Sequence, residues 1–218
     1  MIAAAPAVAA PPVDQMVVFK SGRVLRGRSS TRGVTVRVGR RRCAVGSATP
    51  LAALVRSRPG RIRLRDFGSC SRRARDAGGL YVAAIGREAE RGRGGWVYKV
   101  GHKAATAGAA DPSGPFGNGR LRRGKRVTWF YCLRAGDCQS TLELRVRVEP
   151  GAAVVSVRAY DDDGKGTRVQ GATVSAGAAS ATTGPDGSAR LALAPGRYRI
   201  HAEKRGLVRS FEEPAVVG

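Results

Sequence analysis

Apolar residues in this chain recur at every second position, in short runs ended by glycine or proline. That alternation favours sheets over long helices. Val34, Val36 and Val38 alternate with Thr35 and Arg37, Gly39-Arg40 supplies a turn, and Arg41 to Val45 reads as the returning strand. Ile62 and Leu64 alternate with Arg61, Arg63 and Arg65, a strand exposed on one face. Further strands are predicted over residues 80–85, 96–100, 127–131 and 141–148, with residues 111–119 (DPSGPFGNG) as a loop. One helix interrupts them. Thr49 is its N-cap, Pro50 suits the first helical position, Leu51, Leu54 and Val55 form a stripe, and Pro59-Gly60 stops it. Residues 14–30 read as an irregular entry segment with a short apolar stretch from Met16 to Phe19. Hairpin, single helix, then strands describes an α+β domain, a grasp-like mixed sheet crossed by one helix.

The composition changes after Glu149-Pro150-Gly151. Residues 1–150 carry 30 cations and 9 anions, and residues 151–218 carry 9 and 7, so the local net charges are +21 and +2. The later segment predicts strands over residues 154–160, 172–176, 178–182, 188–194, 197–203 and 207–211. Asp161-Asp162-Asp163-Gly164, Gly184-Pro185-Asp186-Gly187 and Pro195-Gly196 are the turns, and Leu191, Leu193, Tyr198 and Ile200 point inward. Short, evenly spaced strands of this kind imply a small β-sandwich. The expected organisation is therefore mostly β: entry segment 1–30, α+β domain 31–149, β-sandwich 151–218.

Residues 1–13 (MIAAAPAVAAPPV) resemble the end of a secretory signal peptide, with small-x-small triplets such as Ala7-Val8-Ala9. The basic opening of such a signal is missing, as if the start codon were placed too far downstream; a plain Ala/Pro leader is the competing reading. No run of 18 apolar residues occurs, so no membrane-spanning helix is expected. Cys43, Cys70, Cys132 and Cys138 allow three pairings, and short spacing favours 43–70 with 132–138. Neither pair has redox-motif spacing. Disulfides and the leader together predict an extracellular or envelope-associated protein.

The strongest chemical signal is basic. Of the 39 cations, 33 are arginine. They cluster at Arg40-Arg41-Arg42, at Arg61, Arg63 and Arg65, at Arg72, Arg73 and Arg75, and at Arg120, Arg122, Arg123, Lys125 and Arg126. Alternating arginines place several guanidinium groups on one face, which suits phosphate or carboxylate polymers. Arg40, Arg41, Arg42, Arg61, Arg63, Arg65, Arg122 and Arg123 are the candidate contacts. Nucleic acid is one such polymer, but no nucleic-acid fold motif accompanies them; for an exported protein, anionic envelope polymers or lipid headgroups are the expected partners. A genomic preference for arginine is the competing reading. Trp96, Tyr98, Trp129 and Tyr131 are candidates for a small-ligand groove, against burial in the sheet's inner face.

No reaction is legible. His102 and His201 stand apart from any cysteine and from any triad partner, so neither a zinc site nor a catalytic histidine is expected. Residues 161–164 lack the twelfth-position Glu of an EF-hand, and Lys165-Gly166-Thr167 lacks the glycine spacing of a phosphate loop. No metal and no cofactor is expected, and no enzyme.

Two stretches resemble known families. Gly95-Trp96-Val97-Tyr98-Lys99-Val100-Gly101 resembles the Gly-Trp-x-Tyr-x-Val motif of the DUF4430 domain, which is similar to the carboxy-terminal domain of transcobalamins. The Cys43-to-Leu54 segment, the Gly-Pro-Phe-Gly loop and Val127 to Cys132 fit it too, and the likeness spans residues 31–149. Gly101 replaces the motif's usual Asn. The resemblance implies a surface-exposed domain and, through transcobalamins, corrinoid-like ligand capture, although that role leans on an α-barrel domain this sequence lacks. Gly171 to Val174, Thr183 to Gly187 and Leu191 to Tyr198 resemble carboxypeptidase regulatory-like, prealbumin-related domains. That resemblance implies a structural spacer or adhesion module.

Overall fold

The computed structural model describes residues 10–218, and the chain divides into two units. The first runs up to Gly101 and resumes over Ala105–Cys132; the second comprises His102–Ala104 and Leu133–Gly218.

The first unit contains β1 (Val13–Val18), β2 (Val24–Ser29), β3 (Val34–Val38), β4 (Arg41–Val45), α1 (Pro50–Ser57), β5 (Ile62–Asp66), β6 (Leu80–Ile85), β7 (Glu88–Ala89) and β8 (Gly95–Val100). The two-residue β9 (Lys103–Ala104) is grouped with the second unit, and β10 (Arg126–Cys132) closes the first. Strands β2, β1, β10 and β8 hydrogen-bond in that order. β1 runs parallel to β10 while the other two pairings are antiparallel, so the sheet is mixed. An initial hairpin, a helix and a final hairpin that joins the first through its central strands is the grasp-like order. Helix α1 starts as its sequence dictates: Thr49 Oγ1 accepts from the Ala52 amide at 3.3 Å, and Pro50 follows the cap. It ends at Arg58, which adopts the left-handed region at φ 50°. Leu51 and Leu54 enter one core with Val13, Val17, Trp96 and Trp129.

The expected irregular segment over residues 14–30 is corrected: it is the β1–β2 hairpin. β1 is central in the sheet and Val13, Gln15, Met16 and Val17 are all buried, so no polar alternation marks it. The leader residues 1–9 lie outside the described residues.

The second unit holds β11 (Thr141–Glu149), β12 (Ala152–Tyr160), β13 (Gly166–Arg168), β14 (Thr173–Ala176), β15 (Ala179–Thr182), β16 (Ser188–Ala192), β17 (Gly196–Glu203) and β18 (Glu213–Val217). One sheet pairs β12 with β11, β13 and β16; the other has the order β15-β14-β17-β18. Ala153, Val155 and Val157 from the first sheet share a core with Val174, Ile200 and Val217 from the second, a small sandwich. β11, expected in the first domain, pairs with β12 over its full length from Thr141–Tyr160 to Glu149–Ala152. The expected strand over residues 207–211 is only a single bridge at Val208, and the sheet's last strand is β18.

Candidate anion-binding face

The eight candidate arginines are all exposed. Arg37 lies directly opposite Arg42 across the β3–β4 hairpin. Like charges so placed repel each other and are relieved by an external anion. Cys43, beside Arg42, is joined to Cys70 with their Cα atoms 5.4 Å apart, and the Ala44 amide donates to Ser71 O at 2.7 Å. These two links draw the 72–73 arginine pair to the strand carrying Arg40, Arg41 and Arg42. Arg41 reaches Asp66 at 3.0 Å, which ties the same strand to the end of β5 and its Arg63 and Arg65. Three runs distant in sequence are thus fastened around one disulfide.

Only two of the eight candidates are neutralised. Arg41 pairs with Asp66, and Arg65 with Glu90 at 2.8 Å. Arg40, Arg42, Arg61, Arg63, Arg122 and Arg123 have no ion pair among the described residues. Arg122 and Arg123 sit on a separate turn, anchored where the Leu121 amide donates to Ala48 O at 2.9 Å.

Two residues that the charge pattern did not single out complete the face. Phe67 is 76% exposed and lies 6.0 Å, ring to ring, from Tyr81. Tyr81 is the cross-strand partner of Arg65. Burial first, then the neighbouring Glu90, holds the Tyr81 phenol above its ordinary value, so it stays neutral. Phe67 was findable only as the next odd-numbered position after Arg61, Arg63 and Arg65.

The aromatic groove expected from Trp96, Tyr98, Trp129 and Tyr131 is corrected. None of the four is more than 9% exposed, and all belong to the first unit's core. Their period-2 spacing puts them on the inner face, where Trp96 and Tyr131 meet edge to face at 5.9 Å and Tyr98 lies 4.9 Å from Trp129. Trp96 Nε1 donates to Glu88 O at 2.8 Å, and the Tyr98 and Tyr131 hydroxyls donate to Ala107 O and Ala89 O at 2.8 and 3.1 Å.

Elsewhere the chemistry is structural. Cys43 and Cys70 are bonded, no cysteine is free, and Cys132 and Cys138 are disulfide-bonded, which leaves them to each other. In the second unit His102 stacks on Tyr160 at 3.8 Å, and Glu143 accepts from the Tyr160 hydroxyl at 2.8 Å. Asp161 closes its own turn by accepting from the Lys165 amide at 2.7 Å. His201, expected to face solvent, has a side chain only 21% exposed, 3.5 Å from Glu203. Among the described residues no group of three or more His, Cys, Asp or Glu side chains is placed to hold a metal ion. Among the described residues no helix is long and apolar enough to cross a membrane.

No known protein family, no curated protein and no solved structure matches this chain.

Proposed function

We propose that the chain is a secreted or cell-surface binding and structural protein without catalysis, whose first unit contacts anionic polymers of a cell envelope. The single observation that carries this reading is the cluster of exposed, largely unneutralised arginines fastened around Cys43–Cys70. Guanidinium groups stay charged at every physiological pH and grip carboxylate or phosphate through paired N–H donors. The first unit, on the DUF4430-like reading, supplies recognition. The second, on the carboxypeptidase regulatory-like reading, is a rigid spacer or adhesion module with little net charge of its own. Two disulfides fit an oxidising compartment. With the four aromatic side chains packed into the core, corrinoid-like capture has no supporting observation.

The test is cosedimentation of the oxidised protein with isolated envelopes of its source organism. Binding in low salt that is lost in high salt is expected, because counterion release makes polyanion binding steeply salt-dependent. Absence of binding at both salt levels would reduce the charge to a genomic arginine preference.

A further inference from the structure

The exposed face of β5 is more than a charged patch. Arg63 and Arg65 stand two apart on β5 and so project from the same side, and Phe67 continues that row. Alternate residues on a strand are about 6.6 Å apart, so Arg63 and Arg65 are spaced by about that distance, and Phe67 follows directly after the strand's end. Tyr81 lies beside it, opposite Arg65 and against Phe67. Charge and ring are therefore in line.

Phe67 is held outward by a rigid loop. Its amide donates to Gly79 O at 2.9 Å. Asp66 accepts from the Gly68 amide at 3.1 Å and the Cys70 amide at 3.0 Å, while also meeting Arg41. A Cβ on Gly79 would stand 2.5 Å from Gly68 N, so the two segments approach as closely as glycine allows. Such a loop keeps an apolar ring in water without collapse, and a preordered contact loses little entropy when it is covered.

We infer that this Arg63–Arg65–Phe67–Tyr81 row is the seat of an acidic polysaccharide, a carboxylate or phosphate on the unpaired Arg63 and the C–H face of one sugar on Phe67, with Arg65 between them held by Glu90. The inference rests on the anionic-polymer function proposed above and names the polymer's chemistry. A line of sites along one strand fits an extended chain. A membrane surface is met by several apolar tips, yet Phe67 is the one large hydrophobic side chain in the first unit that is exposed, among the described residues. A nucleic-acid base is held by stacking on flat platforms, whereas Phe67 and Tyr81 are inclined at 57° and form no parallel-sided slot.

Equilibrium binding at fixed salt to polygalacturonate and to linear polyphosphate separates the contributions, because polyphosphate carries charge but no sugar face. Phe67→Ala should weaken polygalacturonate binding about five- to tenfold and leave polyphosphate binding unchanged. Arg63→Ala should weaken both, and Phe67→Tyr should restore polygalacturonate binding. Phe67 is exposed and Arg63 unpaired, so both variants are expected to fold, which circular dichroism verifies. Failure of the parent protein to bind either polymer removes the anionic-polymer function itself. Binding to both that Phe67→Ala leaves unaltered overturns this inference alone. A loss confined to phosphatidylglycerol vesicles or to oligo(dT) overturns it in favour of a membrane or a nucleic acid.

Discussion

Trp96 and Trp129 are both buried to 2% exposure or less in one core, yet their indole nitrogens are treated differently. Trp96 Nε1 donates to Glu88 O at 2.8 Å, while Trp129 Nε1 has no partner among the described residues. Trp→Phe removes similar volume at each site, so the difference isolates the hydrogen bond. Trp96→Phe should cost about 1 kcal/mol more than Trp129→Phe in denaturant unfolding followed by circular dichroism. Equal costs would mean the Glu88 bond contributes nothing. Tyr98 gives a pH prediction. Burial first, then Asp111, pushes its phenol above the ordinary 10.0. A folded value raised above the unfolded one means the stabilisation is present below pH 10 and is lost as pH rises beyond it. Stability should therefore fall above about pH 10, and less steeply in Tyr98→Phe; equal alkaline limbs would place the loss elsewhere.

Among the elements, the two disulfides close loops of very different length. Cys43 and Cys70 are separated by 27 residues, Cys132 and Cys138 by 6. The chain-entropy account gives about 3.5 kcal/mol for the first and about 2 kcal/mol for the second. Cys43→Ser with Cys70→Ser should thus destabilise the protein more than Cys132→Ser with Cys138→Ser. The first pair of changes should also weaken polyanion binding at temperatures where the chain stays folded, because that bond fastens the arginine runs together. Unaltered binding would show that the runs act separately. Elements with one wet face were legible in the sequence: β3, β4, β5 and α1 lie where their alternation or capping predicts. β1 was not, because burial on both faces erases alternation. Pro150-Gly151 reads as a domain boundary because composition changes there. It is instead the tight turn of the β11–β12 hairpin, with Gly151 at φ 67° after a proline, the order a type II turn requires. Pro214 similarly disguised β18, which tolerates it because β18 is an edge strand.

The charge of the whole molecule is divided as sharply as its fold. The first unit carries 26 cations and 6 anions, a net +20, and the second 13 and 10, a net +3. This asymmetry was visible in sequence. Spacing also predicts the Cys43–Cys70 bond that joins the first two arginine runs; the Arg41–Asp66 contact that adds β5 to them was not legible. The identity of the cations then fixes a property of the assembled surface. Thirty-three of 39 are arginine, whose guanidinium does not deprotonate in the physiological range. Affinity for linear polyphosphate at constant ionic strength should accordingly stay level between about pH 6 and pH 9. Over the same range log affinity should fall linearly with log salt concentration, with a slope set by the number of phosphates contacted. An affinity that changed steeply with pH across that range would take the interaction away from the arginine face.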